Sequence, residues 1–184
     1  MLSVFSFAWA GILVKFCGLA SSNIATGRMV LAVIFMAPFA IRPSIQALKT
    51  LSTRQRAVLI LAGLCLGVHF TVWVASLSYI SEANSVILVT MNPIFVSLGS
   101  RFLLKEPPSR RAVIGLILAA VGIICVAWSD IGGGNHGLWG GFLALIGAVM
   151  FSGYLLAGRY LRGAISTVAH AFPIYFVCTV FLLI

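Results

Sequence analysis

"ANSVILVTMNPIFVSLGSRFLL", residues 83–104, is apolar for most of its length, yet Asn92-Pro93 sits in its middle. A helix needs about 20 mostly apolar residues to cross a bilayer, so the stretch has the length of a span. Pro93 has no backbone N–H, which leaves the Val89 carbonyl without its helical partner. Asn92 adds an amide that must find partners of its own. In hydrocarbon such groups are tolerated only where protein or water lines them. The sequence therefore predicts a helix kinked or broken at its midpoint, with the Val89 carbonyl and the Asn92 amide facing a cavity. The plainer alternative is a kink satisfied within the bundle.

The rest of the chain fits a membrane setting. Its 184 residues are 61% hydrophobic and 8% charged, with a mean hydropathy of +1.14. A soluble domain carries about 25% charged residues. The net charge is +9, from 12 Lys and Arg against three acids. Such a balance can signal nucleic acid. Here the basic residues cluster between apolar runs, as they do in cytoplasmic loops, so no nucleic-acid partner is expected. Cys17, Cys65, Cys125 and Cys178 each lie inside an apolar run and read as small hydrophobes. No metal site, cofactor or cleavable signal peptide is expected.

Seven candidate spans lie at about 2–20, 24–42, 57–79, 83–104, 110–129, 137–158 and 167–184. The last ends while still apolar, at "FVCTVFLLI", which suggests a fragment of a longer protein. Ten of the 12 basic residues fall in the 42–56, 101–111 and 159–166 segments, and the alternate loops hold only Glu82 and Asp130. This asymmetry places the N-terminus and the basic loops in the cytoplasm. Lys15 and Arg28 are the exceptions. Each either snorkels to the headgroups or lends a cation to a polar path.

Small residues recur at helix-packing spacing: Gly63 with Gly67, Gly115 with Gly122, and Gly140 or Gly141 with Gly147. Such positions let helices approach closely within a membrane. "GGGNHG", 132–137, lacks the Lys-Ser/Thr of a phosphate-binding loop and reads as an outer loop. A faint echo links the Trp9–Lys15 and Gly153–Arg159 stretches, each a helix ending in a cation before a small-polar loop. It gives a repeat of five helices, and an odd-numbered unit inverts between copies.

The stretch 79–128 places these features together: Tyr79, Ala83, mid-span Pro93, Glu106 at the basic end, then Gly115 and Gly122-Ile123. It resembles the EamA-type family of the drug/metabolite transporter superfamily. Trp9 with Ala10-Gly11, Lys15 and Arg28 resemble the family's beginning. The resemblance implies an all-α integral membrane bundle of ten helices in two inverted repeats. By that measure residues 1–129 hold one complete five-helix repeat, and 137–184 begin the second. The remaining three helices would take roughly 100 further residues, supplied by missing chain or by a partner chain.

The resemblance further implies a multi-pass protein of the bacterial cytoplasmic membrane that exports or exchanges a small metabolite or drug by alternating access. Candidate cavity residues are Trp9, Lys15, His69, Trp73, Asn92, Pro93 and Tyr154. His69, Trp73 and Ser76 share one helix face at i, i+4 and i+7, and aromatic rings can stack on a substrate or hold a cation. Plain bundle packing is the alternative for this stripe. Tyr79 belongs to the outer boundary, and Glu106, amid cations, reads as an ion pair tying the turn after residue 104 rather than as a proton carrier. No catalytic residue is expected. An intramembrane protease would need a serine-histidine or paired-aspartate site, and Asp130 is the only aspartate. A seven-helix receptor would place the N-terminus outside. An inert truncated chain is the remaining alternative.

Overall fold

The computed structural model describes residues 21–131 and 135–184, and every described element but one isolated bridge is helical. In chain order these are α1 (Ser21–Thr50), α2 (Thr53–Ser76), α3 (Glu82–Val89) and α4 (Asn92–Gly99), which runs into a π-helical turn (Ser100–Leu104). Then come α5 (Arg110–Ile131), α6 (Asn135–Tyr160) and α7 (Thr167–Leu183). The predicted span at 2–20, with Trp9 and Lys15, lies outside the described residues.

Among the described residues, Ala25–Thr50, Thr53–Ser76, Glu82–Leu104 and His136–Tyr160 are long and apolar enough to cross a membrane, and Thr167–Leu183 is a shorter apolar helix. Large side chains such as Phe35, Phe39 and Phe102 are more than 70% exposed. In water such a surface would aggregate. In lipid it is the ordinary outer face of a multi-pass protein.

One predicted boundary moves. The span expected at 24–42 continues to Thr50 and carries Pro38 and Pro43 within it. The basic segment that begins at Arg42 is therefore mostly helix, with Arg42 and Lys49 reaching solvent from its flank. The stop comes at Ser52. Its hydroxyl accepts from the Gln55 N–H while the Gln55 side chain accepts from the Ser52 N–H. This reciprocal cap starts α2 sharply. Ser81 and Ser166 start α3 and α7 by the same hydroxyl-to-backbone contact.

The span at 83–104 is broken at Thr90-Met91, immediately before the Asn92-Pro93 pair from which its sequence predicts a break. Across the break the ladder tightens to three-residue steps: Met91 N–H donates to the Leu88 carbonyl at 3.1 Å, and Ile94 N–H to Met91 at 2.9 Å. Pro93 falls in the first turn of α4, where its missing N–H would be unpaired anyway. The π-helical turn closes on Lys105, whose φ of 58° is left-handed. There the Lys105 and Glu106 N–H groups both reach back to the Ser100 carbonyl, Glu106 at 3.1 Å, which closes the end of the helix. Pro107 and Pro108 prevent any continuation.

α2 is the hub of the packing. It lies along α6 and α7, while α1 packs on α7, and α3 and α4 lean on α6. The shared core is Leu51, Leu59, Ala62, Leu66, Ala157, Leu161, Ile174 and Cys178. Close approach depends on two glycines. A Cβ on Gly63 would stand 2.6 Å from Val177 Cβ and 2.9 Å from the Ile174 carbonyl, and one on Gly67 would meet the Phe181 ring. α5 touches only α3, α6 and their neighbourhood lightly.

Candidate functional site

α6 forms the common wall between the broken span and α2. On the α2 side, His69 is buried, and its Nδ1 lies 2.8 Å from the Gly147 carbonyl. A carbonyl only accepts, so this nitrogen donates. The His69 ring stacks on Trp73, with centroids 6.2 Å apart and planes 5° from parallel. It also meets Phe70 at 5.2 Å and Phe151 at 4.9 Å. Phe151 carries the contact on to Tyr154 at 5.7 Å. The predicted residues His69, Trp73 and Tyr154 are thus brought together, with Phe151 as the link that the sequence did not single out.

Trp73 Nε1 is buried, and among the described residues no acceptor reaches it. An unpaired buried N–H costs about 1–3 kcal/mol. It is the polar atom in this seam that a solute or water could satisfy. Ser76, the third residue of the face, is committed to the protein. Its hydroxyl lies 2.6 Å from both the Trp73 carbonyl and the Ser85 hydroxyl, and so pins α2 to α3.

Asn92 meets α6 through its backbone. Its carbonyl accepts from the Ser152 hydroxyl at 3.1 Å, and the same hydroxyl lies 2.6 Å from the Ala148 carbonyl. Pro93 is exposed on another side of the break. It lines a groove of about 500 Å³ with Ser97, Ser100, Glu106, Gly115 and Arg159. The two halves of the Asn-Pro pair therefore serve different places: Asn92 ties the break to α6, and Pro93 borders an open groove.

One end of that groove is closed by charge. Glu106 Oε2 lies 3.1 Å from Arg159 Nη2, with both side chains about half exposed. Arg159 Nη1 also donates to the buried Ser100 hydroxyl at 3.0 Å. Glu106 thus forms an ion pair, and its partner stands at the end of α6 rather than among the flanking cations. Sequence reading missed Ser100, Ser152 and Arg159 as site residues. Their partners lie about 60 residues away in the chain, and no local pattern carries such a pairing. The one visible signal was a hydroxyl or cation interrupting or ending an apolar run. Tyr79 stacks over His136 at 6.3 Å near the opposite end, and Arg28 is exposed on α1.

Comparison with known proteins agrees with this architecture. The profile described as the EamA-like transporter family matches residues 1–128. A curated protein of Pseudomonas aeruginosa (strain UCBPP-PA14), named probable 4-amino-4-deoxy-L-arabinose-phosphoundecaprenol flippase subunit ArnE, is 30% identical over 69 residues. That similarity covers 38% of this chain and 60% of the relative's length. No solved structure matches the chain.

Proposed function

Because the chain belongs to the EamA-like transporter family, we propose that it forms part of a secondary transporter moving a small organic metabolite by alternating access. It sits in the bacterial cytoplasmic membrane with the N-terminus and basic loops inside, an orientation supported by the charge asymmetry. Residues 1–129 act as the first repeat, and 137–184 as the start of an inverted second one. Further helices, from the same chain or a partner, complete the path.

The observation that carries the reading is the span broken just before Asn92-Pro93. Transporters place interrupted helices where freed backbone groups and water meet the cargo. His69, Trp73, Asn92, Pro93 and Tyr154 are the proposed path residues, joined by Trp9 and Lys15 from the segment outside the described residues. The Glu106–Arg159 pair acts as a tie at the basic end, closed in one state and open in the other.

A second reading, a flippase subunit for a lipid-linked sugar, is favoured by the similarity to the Pseudomonas flippase subunit. Both are tested by reconstituting the chain together with the helices that complete the path in vesicles, and following labelled amino acids, nucleosides, sugar phosphates and a fluorescent polyprenyl-phosphate sugar. Uptake of a soluble solute supports the first reading, and headgroup flipping the second. In either case Pro93→Ala, at an exposed position, should keep the fold and slow turnover by straightening the span. Wild-type turnover in that variant contradicts the role given to the break.

A further inference from the structure

A second groove, of about 290 Å³, opens on the other side of the π-helical turn, between α2, the turn and α6. Its floor is made of small residues. Ala62 is buried, and Gly153 sits so near Cys65 that an added Cβ would lie 3.2 Å from the sulfur. Its walls are the apolar side chains of Leu61, Leu103, Leu104 and Leu156. Leu61 and Leu103 are mostly exposed, so the groove is continuous with the lipid-facing surface. At the basic end of the bundle it is bordered by Arg54 and Tyr160.

The two arginines that open α2 are used differently. Arg56 is spent on the protein, donating to the Leu51 and Lys49 carbonyls. Arg54 is exposed and forms no ion pair among the described residues. A guanidinium matches a phosphate with two parallel hydrogen bonds. A tyrosine at headgroup depth presents an apolar ring and a hydroxyl donor. One turn of helix, about 10 Å wide and 5.4 Å high, fills roughly 400 Å³, more than this groove offers. The inner part of a single acyl chain fits it, with the remainder in the surrounding lipid.

We propose that this groove is a binding site for one anionic phospholipid of the surrounding leaflet, its phosphate on Arg54 and Tyr160 and an acyl chain along Leu61, Leu103 and Leu156. The site needs no translocation and does not depend on the transport reading. Its occupant would brace the π-helical turn from the side opposite the Glu106–Arg159 pair.

Native mass spectrometry of the purified chain tests this with phosphatidylglycerol and phosphatidylcholine of identical acyl chains. Wild type should retain one phosphatidylglycerol about tenfold more strongly than phosphatidylcholine, because the choline cation of the latter neutralises the phosphate that Arg54 would pair with. Arg54→Gln should reduce this preference to near unity, and Tyr160→Phe should lower retention of both lipids about threefold while leaving the preference in place. Arg110→Gln, an exposed cation at the same end that does not line the groove, should leave it unchanged. Equal retention of both lipids by wild type overturns the proposal, as does an Arg110→Gln loss matching that of Arg54→Gln, which would mark diffuse charge attraction. A thermal melt of each variant confirms that folding is intact. Because bound lipid is read without transport, a chain that moves no solute but retains the lipid leaves this inference standing.

Discussion

The α2–α7 seam and the face of α5 carry the same sequence signal and use it in opposite ways. Both present glycines in apolar helices, Gly63 and Gly67 on α2 and Gly115 and Gly122 on α5. At Gly63 and Gly67 an added Cβ would collide with α7, whereas at Gly115 and Gly122 no described residue lies within 4 Å. A small residue permits close approach in a membrane, but a second helix must be there to use it. α2 therefore belongs to a closed core, and α5 presents a face that no described residue covers.

The largest expected effect tests the closed side. Gly63→Leu drives a side chain into Val177 and the Ile174 carbonyl, a backbone atom that cannot swing away. Overpacking of this kind costs about 1–3 kcal/mol. Denaturant unfolding in detergent should show a clearly lowered midpoint, and an unchanged midpoint would remove the seam from the account. His69→Ala comes next. It deletes the contact to the Gly147 carbonyl and the ring packed between Phe70, Trp73 and Phe151. The expected loss is about 2 kcal/mol, with His69→Phe recovering part of it by restoring the ring. If Phe recovers nothing, the hydrogen bond outweighs the packing.

Smaller effects belong to the open side. Glu106→Gln removes a half-exposed ion pair, a change of about 0.5 kcal/mol. Its stability should barely move, while a spectroscopic distance between labels on the π-helical turn and the end of α6 should broaden. A distance distribution identical to wild type would show that the pair ties nothing. The smallest effect is Gly115→Ala, which should be neutral or stabilising by up to about 1 kcal/mol through helix propensity, since its Cβ meets no described residue. A marked destabilisation there would mean that α5 is covered by a partner when purified.

The parts legible in the sequence were those set by local chemistry. Hydropathy located the helices at 53–76, 110–131 and 135–160 to within a few residues, because span length is fixed by the bilayer. Pro93 announced the break because a missing N–H acts on its own helix. The end of α1 was less legible. Charge suggested a loop from Arg42, but a long cation can leave its backbone helical and still reach water, and the Ser52–Gln55 cap was the better signal. The stacking of His69 on Trp73 follows from their four-residue spacing. Their meeting with Phe151, and that of Arg159 with Glu106 and Ser100, depends on which helices become neighbours, and a single sequence does not encode that locally.

The measurement that bears most directly on the broken span is aqueous thiol labelling on either side of it. Ser97 lines the groove beside Pro93, whereas Leu98 is 51% exposed and borders neither groove. Ser97→Cys and Leu98→Cys, placed in a chain whose four native cysteines are changed to serine, are treated in membranes with a charged, membrane-impermeant maleimide. If the break borders a water-filled path, Ser97→Cys reacts and Leu98→Cys, facing lipid, does not. Labelling of Leu98→Cys with Ser97→Cys silent would contradict the account.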